Sequence, residues 1–214
     1  MPLKNAGADT YEMLLWDICT NAHRYQPMLD DNVLDLGAHF GIFSLYCASR
    51  GCHVKAYEPS PESIKELLHT VEVAKEIGLG EIRPVACAVW GNRGEGFLRK
   101  REPSTTNAIF TRKECPDGIP TMCVTLRDAM EDKTWDCCKV DVEGSEGEIF
   151  LSASVEDLAR IDFLTMEIHN DLLPLRTRQL LVTRLCENFP YHTGIPVKVN
   201  GEPTNDFATL ICWR

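Results

Sequence analysis

No stretch of the chain reaches the roughly 18 uninterrupted apolar residues from which a membrane-spanning helix is read, although 44% of its 214 residues are hydrophobic. Basic charge is also scarce: 22 Lys and Arg stand against 32 Asp and Glu, a formal net charge of −10. Proteins that neutralise phosphates usually carry a basic face, so this balance argues against a nucleic-acid partner. One local exception gathers Arg99, Lys100, Arg101, Arg112 and Lys113 in a polar stretch. It reads first as a solvated hairpin and second as an electropositive lid over an acidic or phosphorylated acceptor. The ten cysteines include no C-x-x-C pair, so a structural zinc site lacks its usual spacing. Cys87, Cys123, Cys137, Cys138 and Cys212 sit in apolar, strand-like runs, where cysteine behaves as a small buried hydrophobe. All ten are expected as reduced thiols in a reducing compartment. Met1–Ala22 mixes Lys4, Asp9, Glu12 and Asp17 among apolar residues, unlike a signal or transit peptide. The expectation is a cytoplasmic monomer or homodimer with no membrane partner.

Repeats and low-complexity segments are absent too, and no linker divides the chain. One domain of this length buries roughly 70% of its unfolded surface. Short apolar runs alternate with amphipathic segments, which predicts βα units and an α/β fold with a mostly parallel sheet. Strands are expected at Asn32–Leu36, His53–Glu58, Arg83–Val89, Trp135–Val140 and Ile161–Ile168. A helix over Gly41–Ser49 stops at Gly51. A second, capped by Ser60 with Pro61 at its first position, shows the apolar face Ile64, Leu67, Leu68, Val71 and Ala74 and ends at Gly78 and Gly80. Gly94–Lys100 and Ile119–Leu126 read as the arms of a polar-tipped excursion. Leu175–Leu185 reads as a helix, and Val197–Trp213 as an antiparallel hairpin closing the sheet edge. The expected plan is an N-terminal helical segment (1–30), a cofactor-binding core (32–170) with a β excursion or lid (94–126), and a C-terminal helix and hairpin (171–214).

The strongest chemical signal is Val33-Leu34-Asp35-Leu36-Gly37-Ala38-His39-Phe40-Gly41. A strand runs into a tight glycine turn with a helix directly behind it, and the helix start offers N–H groups to a polar ligand. The dinucleotide fingerprint G-x-G-x-x-G requires glycine where His39 stands. The pattern here, D-x-G-x-x-x-G, suits the amino and carboxylate ends of S-adenosylmethionine better than a pyrophosphate. Asp35 is then placed to meet a cationic group. Ala56-Tyr57-Glu58-Pro59 ends the second strand, with Glu58 21 residues after Gly37, where a carboxylate can accept from two ribose hydroxyls. A solvated glutamate ahead of a helix cap is the plainer alternative for Glu58. Small residues in Val85-Ala86-Cys87-Ala88-Val89 leave a slot for an adenine ring, at Cys87 and Ala88. Lys139-Val140-Asp141-Val142-Glu143-Gly144-Ser145-Glu146-Gly147-Glu148 follows the fourth strand, which adjoins the first in open α/β sheets and so faces the same cleft. Glu146 and Glu148 read as an acidic first helical turn, favourable for its dipole. Asp141 and Glu143 sit at the strand end itself.

With these stretches in view, VLDLGAHFG (33–41), AYEP (56–59), the Thr125–Leu126 step and KVDVEGSEGEI (139–149), the chain resembles the FkbM family of S-adenosylmethionine-dependent methyltransferases over roughly Asn32 to Asn170. His39 stands where that family usually carries asparagine. The resemblance implies the class I methyltransferase fold, a Rossmann-like sandwich with a seven-stranded, mostly parallel sheet. It also implies methyl transfer, typically to a hydroxyl of a sugar or a secondary metabolite.

An alcohol is a poor nucleophile until its proton is drawn off, so a base or a metal is expected beside it. The candidates at the ends of strands four and five are Asp141, Glu143, Glu167 and His169. A divalent cation, Mg²⁺, Ca²⁺ or Mn²⁺, could be held by Asp141 and Glu167 with His169 or Asn170. Cofactor contacts are expected from Asp35, Gly37, Ala38, His39, Phe40, Gly41, Glu58, Pro59, Cys87, Ala88 and Asp141. The preferred acceptor is a sugar unit of a glycan or glycoside. Trp90, Phe110, Trp135 and Tyr57 are candidates to stack on it, with core packing as the plainer role. Three other readings remain open: a methyltransferase of polyketide-like metabolites or of nucleic acid, a non-catalytic S-adenosylmethionine-binding protein, and a nicotinamide-dependent oxidoreductase.

Overall fold

The computed structural model describes residues 24–99, 108–199 and 202–214. Residues 1–23, with most of the expected N-terminal helical segment, and Lys100 and Arg101 of the basic patch lie outside the described residues. In chain order the elements are β1 (Asn32–Leu36), α1 (Ile42–Ala48), β2 (His53–Tyr57), α2 (Ser63–Glu76), β3 (Ile82–Val85), β4 (Ala88–Val89), β5 (Gly94–Arg99), β6 (Ala108–Phe110) and β7 (Ile119–Val124). They continue with α3 (Leu126–Met130), β8 (Trp135–Val140), α4 (Glu146–Ser152), α5 (Val155–Leu158), β9 (Ile161–Glu167), α6 (Leu175–Asn188), β10 (Tyr191–Val199) and β11 (Glu202–Trp213).

Seven strands form one sheet in the order β10-β11-β9-β8-β1-β2-β3. The five strands from β3 to β9 are parallel, and β11 pairs antiparallel with both β9 and β10. Alternation along the buried strands sends side chains to two separate cores. Val33 and Cys137 join Phe43, Cys47, Leu67 and Ala74 of α1 and α2 on one face. Leu34, Leu36, Cys138 and Val140 join Phe150, Leu158, Leu181 and Leu185 of α4, α5 and α6 on the other. Helices on both faces explain why β1 and β8 are apolar throughout except for Asp35, Lys139 and the strand-leading polar residues.

Four expectations are corrected. The run 83–89 is two strands: β3 belongs to the large sheet, whereas β4 pairs with β7 in a second sheet of order β4-β7-β5-β6. The chain breaks between them where Cys87 N–H bonds back to Val85 O at 2.9 Å. The second arm of the excursion stops at Val124, because Thr125 accepts from Asp128 N–H while the Asp128 carboxylate accepts from Thr125 N–H, a reciprocal cap that starts α3. The buried face of α2 is Ser63, Leu67, Thr70 and Ala74, with Leu68 turned to solvent. The final hairpin also begins earlier than expected, at Tyr191.

Candidate active site

The glycine turn joins β1 to α1 at the carboxyl edge of the sheet. Gly37 and Ala38 N–H both donate to Tyr57 O, at 3.0 and 2.9 Å, tying the turn to the end of β2. Gly37 has φ +78°, and a Cβ there would lie 1.7 Å from Asp141 O. Only glycine lets the two strand ends meet this closely. His39 follows with φ 52°, its ring stacked on Phe40 at 3.6 Å between centroids. Among the described residues neither ring nitrogen of His39 has a hydrogen-bond partner. Burial, helped by the Lys139 charge, lowers its pKa to about 4 and keeps the ring neutral.

Glu58 is buried at the end of β2. One carboxylate oxygen accepts from His39 N–H and the other from Ser60 N–H, both at 2.8 Å. Each oxygen keeps further lone-pair capacity. Burial outweighs these donors and pushes the carboxyl up to about 7. Ala88 is buried in β4, while Cys87 is half-buried at the break before it.

Asp35 meets a cation, but an internal one. Its carboxylate is wholly buried, accepts from Ser44 Oγ at 2.7 Å and lies 3.3 Å from Lys139 Nζ. Asp35 and Lys139 are register partners across β1 and β8. The same ammonium donates to Gly37 O at 2.7 Å and lies 3.5 Å from Asp141 Oδ2.

Beyond Asp141 the strand ends gather acidic groups around one imidazole. His169 Nδ1 lies 2.6 Å from Glu146 Oε1. Its Nε2 lies 3.3 Å from Glu143 Oε2 and 3.6 Å from Asp141 Oδ1. Burial works against a charged ring, but the hydrogen bond to Glu146 and the charges of Glu146, Asp141 and Glu143 outweigh it, raising His169 to about 10. Burial in turn raises Glu143 to about 7. Asp141, Glu167 and His169 each offer a ligand atom within 4.8 Å of the others, so these three could hold a cation. Asn170 instead donates to Ile168 O at 3.2 Å and accepts from Arg178. Trp135 and Tyr57 are core residues, and Arg99 covers the Phe110 ring at 4.1 Å.

Three participants escaped the sequence reading of roles: Ser44, Lys139 and Glu146. Lys139 did leave a signal. A lysine inside the apolar run Cys137-Cys138-Lys139-Val140 has to find a partner if the strand is buried on both faces. Glu146 is fully buried, and its small neighbours Gly144, Ser145 and Gly147 are the only hint of that.

The sheet order, the glycine turn and the carboxylate at the end of β2 define a class I, S-adenosylmethionine-dependent methyltransferase. The chain belongs to the FkbM methyltransferase family, whose domain, described as "Methyltransferase FkbM domain", matches residues 35–187. Among solved structures it is similar to precorrin-6y C5,15-methyltransferase from Geobacter metallireducens GS-15, at 12% identity and a TM-score of 0.51, covering 92% of this chain and 86% of that one. It is also similar to the METTL16 MTase domain, at 14% identity and TM-score 0.51, covering 95% and 65%. A third, the precorrin 8w decarboxylase of Methanobacterium thermoautotrophicum, gives 14% identity and TM-score 0.50, covering 95% and 89%. No curated protein matches the chain.

Proposed function

We propose that the enzyme methylates a hydroxyl group of a small acceptor, with a sugar unit of a glycan or glycoside as the preferred substrate. The observation that carries this reading is the convergence of Asp141, Glu143, Glu167 and His169 on the strand ends beside the glycine turn. S-adenosylmethionine supplies a methyl group bonded to a sulfonium sulfur. In the proposed arrangement Gly37, Ala38, His39, Phe40 and Gly41 line its amino-acid end, and Glu58, beside Pro59, accepts from the ribose hydroxyls. Cys87 and Ala88 flank the base. Asp35 acts through the turn, since its carboxylate is spent on Ser44 and Lys139.

The acceptor oxygen bonds the methyl carbon as the carbon–sulfur bond breaks, leaving S-adenosylhomocysteine, and the hydroxyl proton passes to a carboxylate. Glu143 suits that role, because a base works best with a pKa near the operating pH and burial brings this carboxyl to about 7. In the absence of a metal, His169, raised to about 10, serves as a fixed cation among the acidic groups. A divalent cation is the finer part of the proposal. Asp141, Glu167 and His169 would hold it, with His169 giving up its proton, and it would polarise the acceptor's oxygens. Two carboxylates in the set suit Mg²⁺, Ca²⁺ or Mn²⁺. Free thiols at all nine described cysteines are the support for placing the protein in the cytoplasm. No helix among the described residues is long and apolar enough to cross a membrane.

The test begins with thermal unfolding in the presence of S-adenosylmethionine, S-adenosylhomocysteine or NAD, for the native protein and for Asp35→Ala and Glu58→Ala. Either sulfur compound at a hundred times its Kd should add about 2.7 kcal/mol, and both variants should lose most of that shift. Transfer of labelled methyl groups to a panel of glycosides, with and without EDTA, then reads the acceptor and the metal. Labelling of amines or nucleic acid but of no hydroxyl compound would overturn the proposal.

A further inference from the structure

Lys139 occupies an unusual position for a buried lysine. It is 5% exposed, yet its ammonium touches three parts of the site that come from different segments. It bonds the carbonyl of Gly37 in the turn, faces the Asp35 carboxylate at the end of β1, and lies 3.5 Å from Asp141 at the end of β8. Asp35 is in turn fixed by Ser44 of α1. A lysine needed only to neutralise Asp35 would not have to reach the turn carbonyl or a second carboxylate. The cross-strand register places it to do so: Asp35 and Lys139 sit side by side, two residues before the backbone meets itself at Gly37 and Asp141.

We propose that Lys139 is a positioning residue for methyl transfer, whose ammonium fixes the glycine turn relative to the Asp141 carboxylate. The turn that receives the amino-acid end of the cofactor and the strand end that faces the acceptor are thereby held by one cation. This rests on the reading of the turn as the cofactor's amino-acid site given above. Glu58, on the β2 side, is held by the N–H groups of His39 and Ser60 and feels the Lys139 charge only behind burial and those two donors, so the ribose contact depends on Lys139 less than the amino-acid end does.

The two ends of the ligand can therefore be separated with two probes: S-adenosylhomocysteine, which carries the amino-acid end, and 5′-methylthioadenosine, which lacks it. Lys139→Met alone leaves Asp35 buried without its cation and could unfold the protein. The comparison is therefore also made as Asp35→Asn against Asp35→Asn/Lys139→Met, where no buried carboxylate is stranded. Calorimetric titration should show that adding Lys139→Met weakens S-adenosylhomocysteine at least tenfold and 5′-methylthioadenosine less than threefold, with a melting temperature close to that of Asp35→Asn. Equal weakening of both probes would make Lys139 a structural residue and overturn the proposal. So would unchanged binding of both. If the native protein binds 5′-methylthioadenosine as tightly as S-adenosylhomocysteine, the turn does not receive the amino-acid end, and the underlying reading falls first.

Discussion

At the scale of single residues, burial decides the chemistry more than residue type does. Asp35, Glu58, Glu143 and Glu146 are all carboxylates near one sheet edge, yet their surroundings separate them. Glu58 is the case with the clearest consequence. Burial raises its pKa to about 7, so the folded protein holds this proton more tightly than the unfolded chain. The stability it contributes is full below the unfolded value and is lost as pH rises through about 7. In the proposed arrangement ligand binding runs the other way, since ribose hydroxyls would donate to the ionised form. The ionised fraction rises from about one tenth at pH 6 to about nine tenths at pH 8, so the affinity for S-adenosylhomocysteine should rise about tenfold over that range. Glu58→Gln should flatten this dependence while Glu143→Gln leaves it in place, which titrations at the two pH values would check. A pH-independent affinity would mean that Glu58 does not take the ribose. The motif around Asp35 and Glu58 was legible in the sequence, because glycine spacing and a strand-end carboxylate are local patterns. The partnership of Asp35 with Lys139 was not, because it joins residues far apart in the chain through the register of β1 and β8.

At the scale of elements, legibility follows length and periodicity. β1 and β8 match their expected spans because each is a short apolar run bounded by polar residues. The stretch 83–89 misled because its apolar character is continuous while its pairing is not: Val85 ends in the large sheet and Ala88 starts in the small one. α3 was hidden for a different reason. It spans Leu126–Met130 only, and its start depends on the reciprocal bonds between Thr125 and Asp128. That cap is braced by Arg93, which pairs with Asp128 and holds its carboxyl well below the usual range. Thr125→Ala should therefore cost about 1 kcal/mol of stability, read as a lower midpoint in urea with an unchanged slope. Binding of S-adenosylhomocysteine should stay within twofold of native, since the cap lies outside the cofactor contacts. An unchanged midpoint would show that Arg93 alone holds the start of the helix.

At the scale of the whole molecule, the fold and family define a methyltransferase and leave the acceptor open. Chains of similar architecture include a precorrin methyltransferase and a protein named as a decarboxylase, so the acceptor has to be argued from charge and site chemistry. The net charge of −10 and the acidic strand ends act in the same direction, repelling polyanions and tolerating neutral hydroxyl compounds. The two described arginines of the one basic stretch each lie over an aromatic ring, although Arg112 remains exposed. Arg99 lies over the Phe110 ring and donates to Glu114 O at 2.6 Å, and Arg112 lies over Phe97 at 5.1 Å. Guanidinium groups spent on aromatic rings and a carbonyl have less capacity left for phosphates. The protein should therefore pass through a heparin column at about 0.1 M salt without retention, because few counterions would be released on binding. Firm retention, lost stepwise as salt rises and weakened by Arg112→Ala, would mean that this stretch does engage phosphates. In that case a nucleic acid, rather than a glycoside, would become the acceptor to test first.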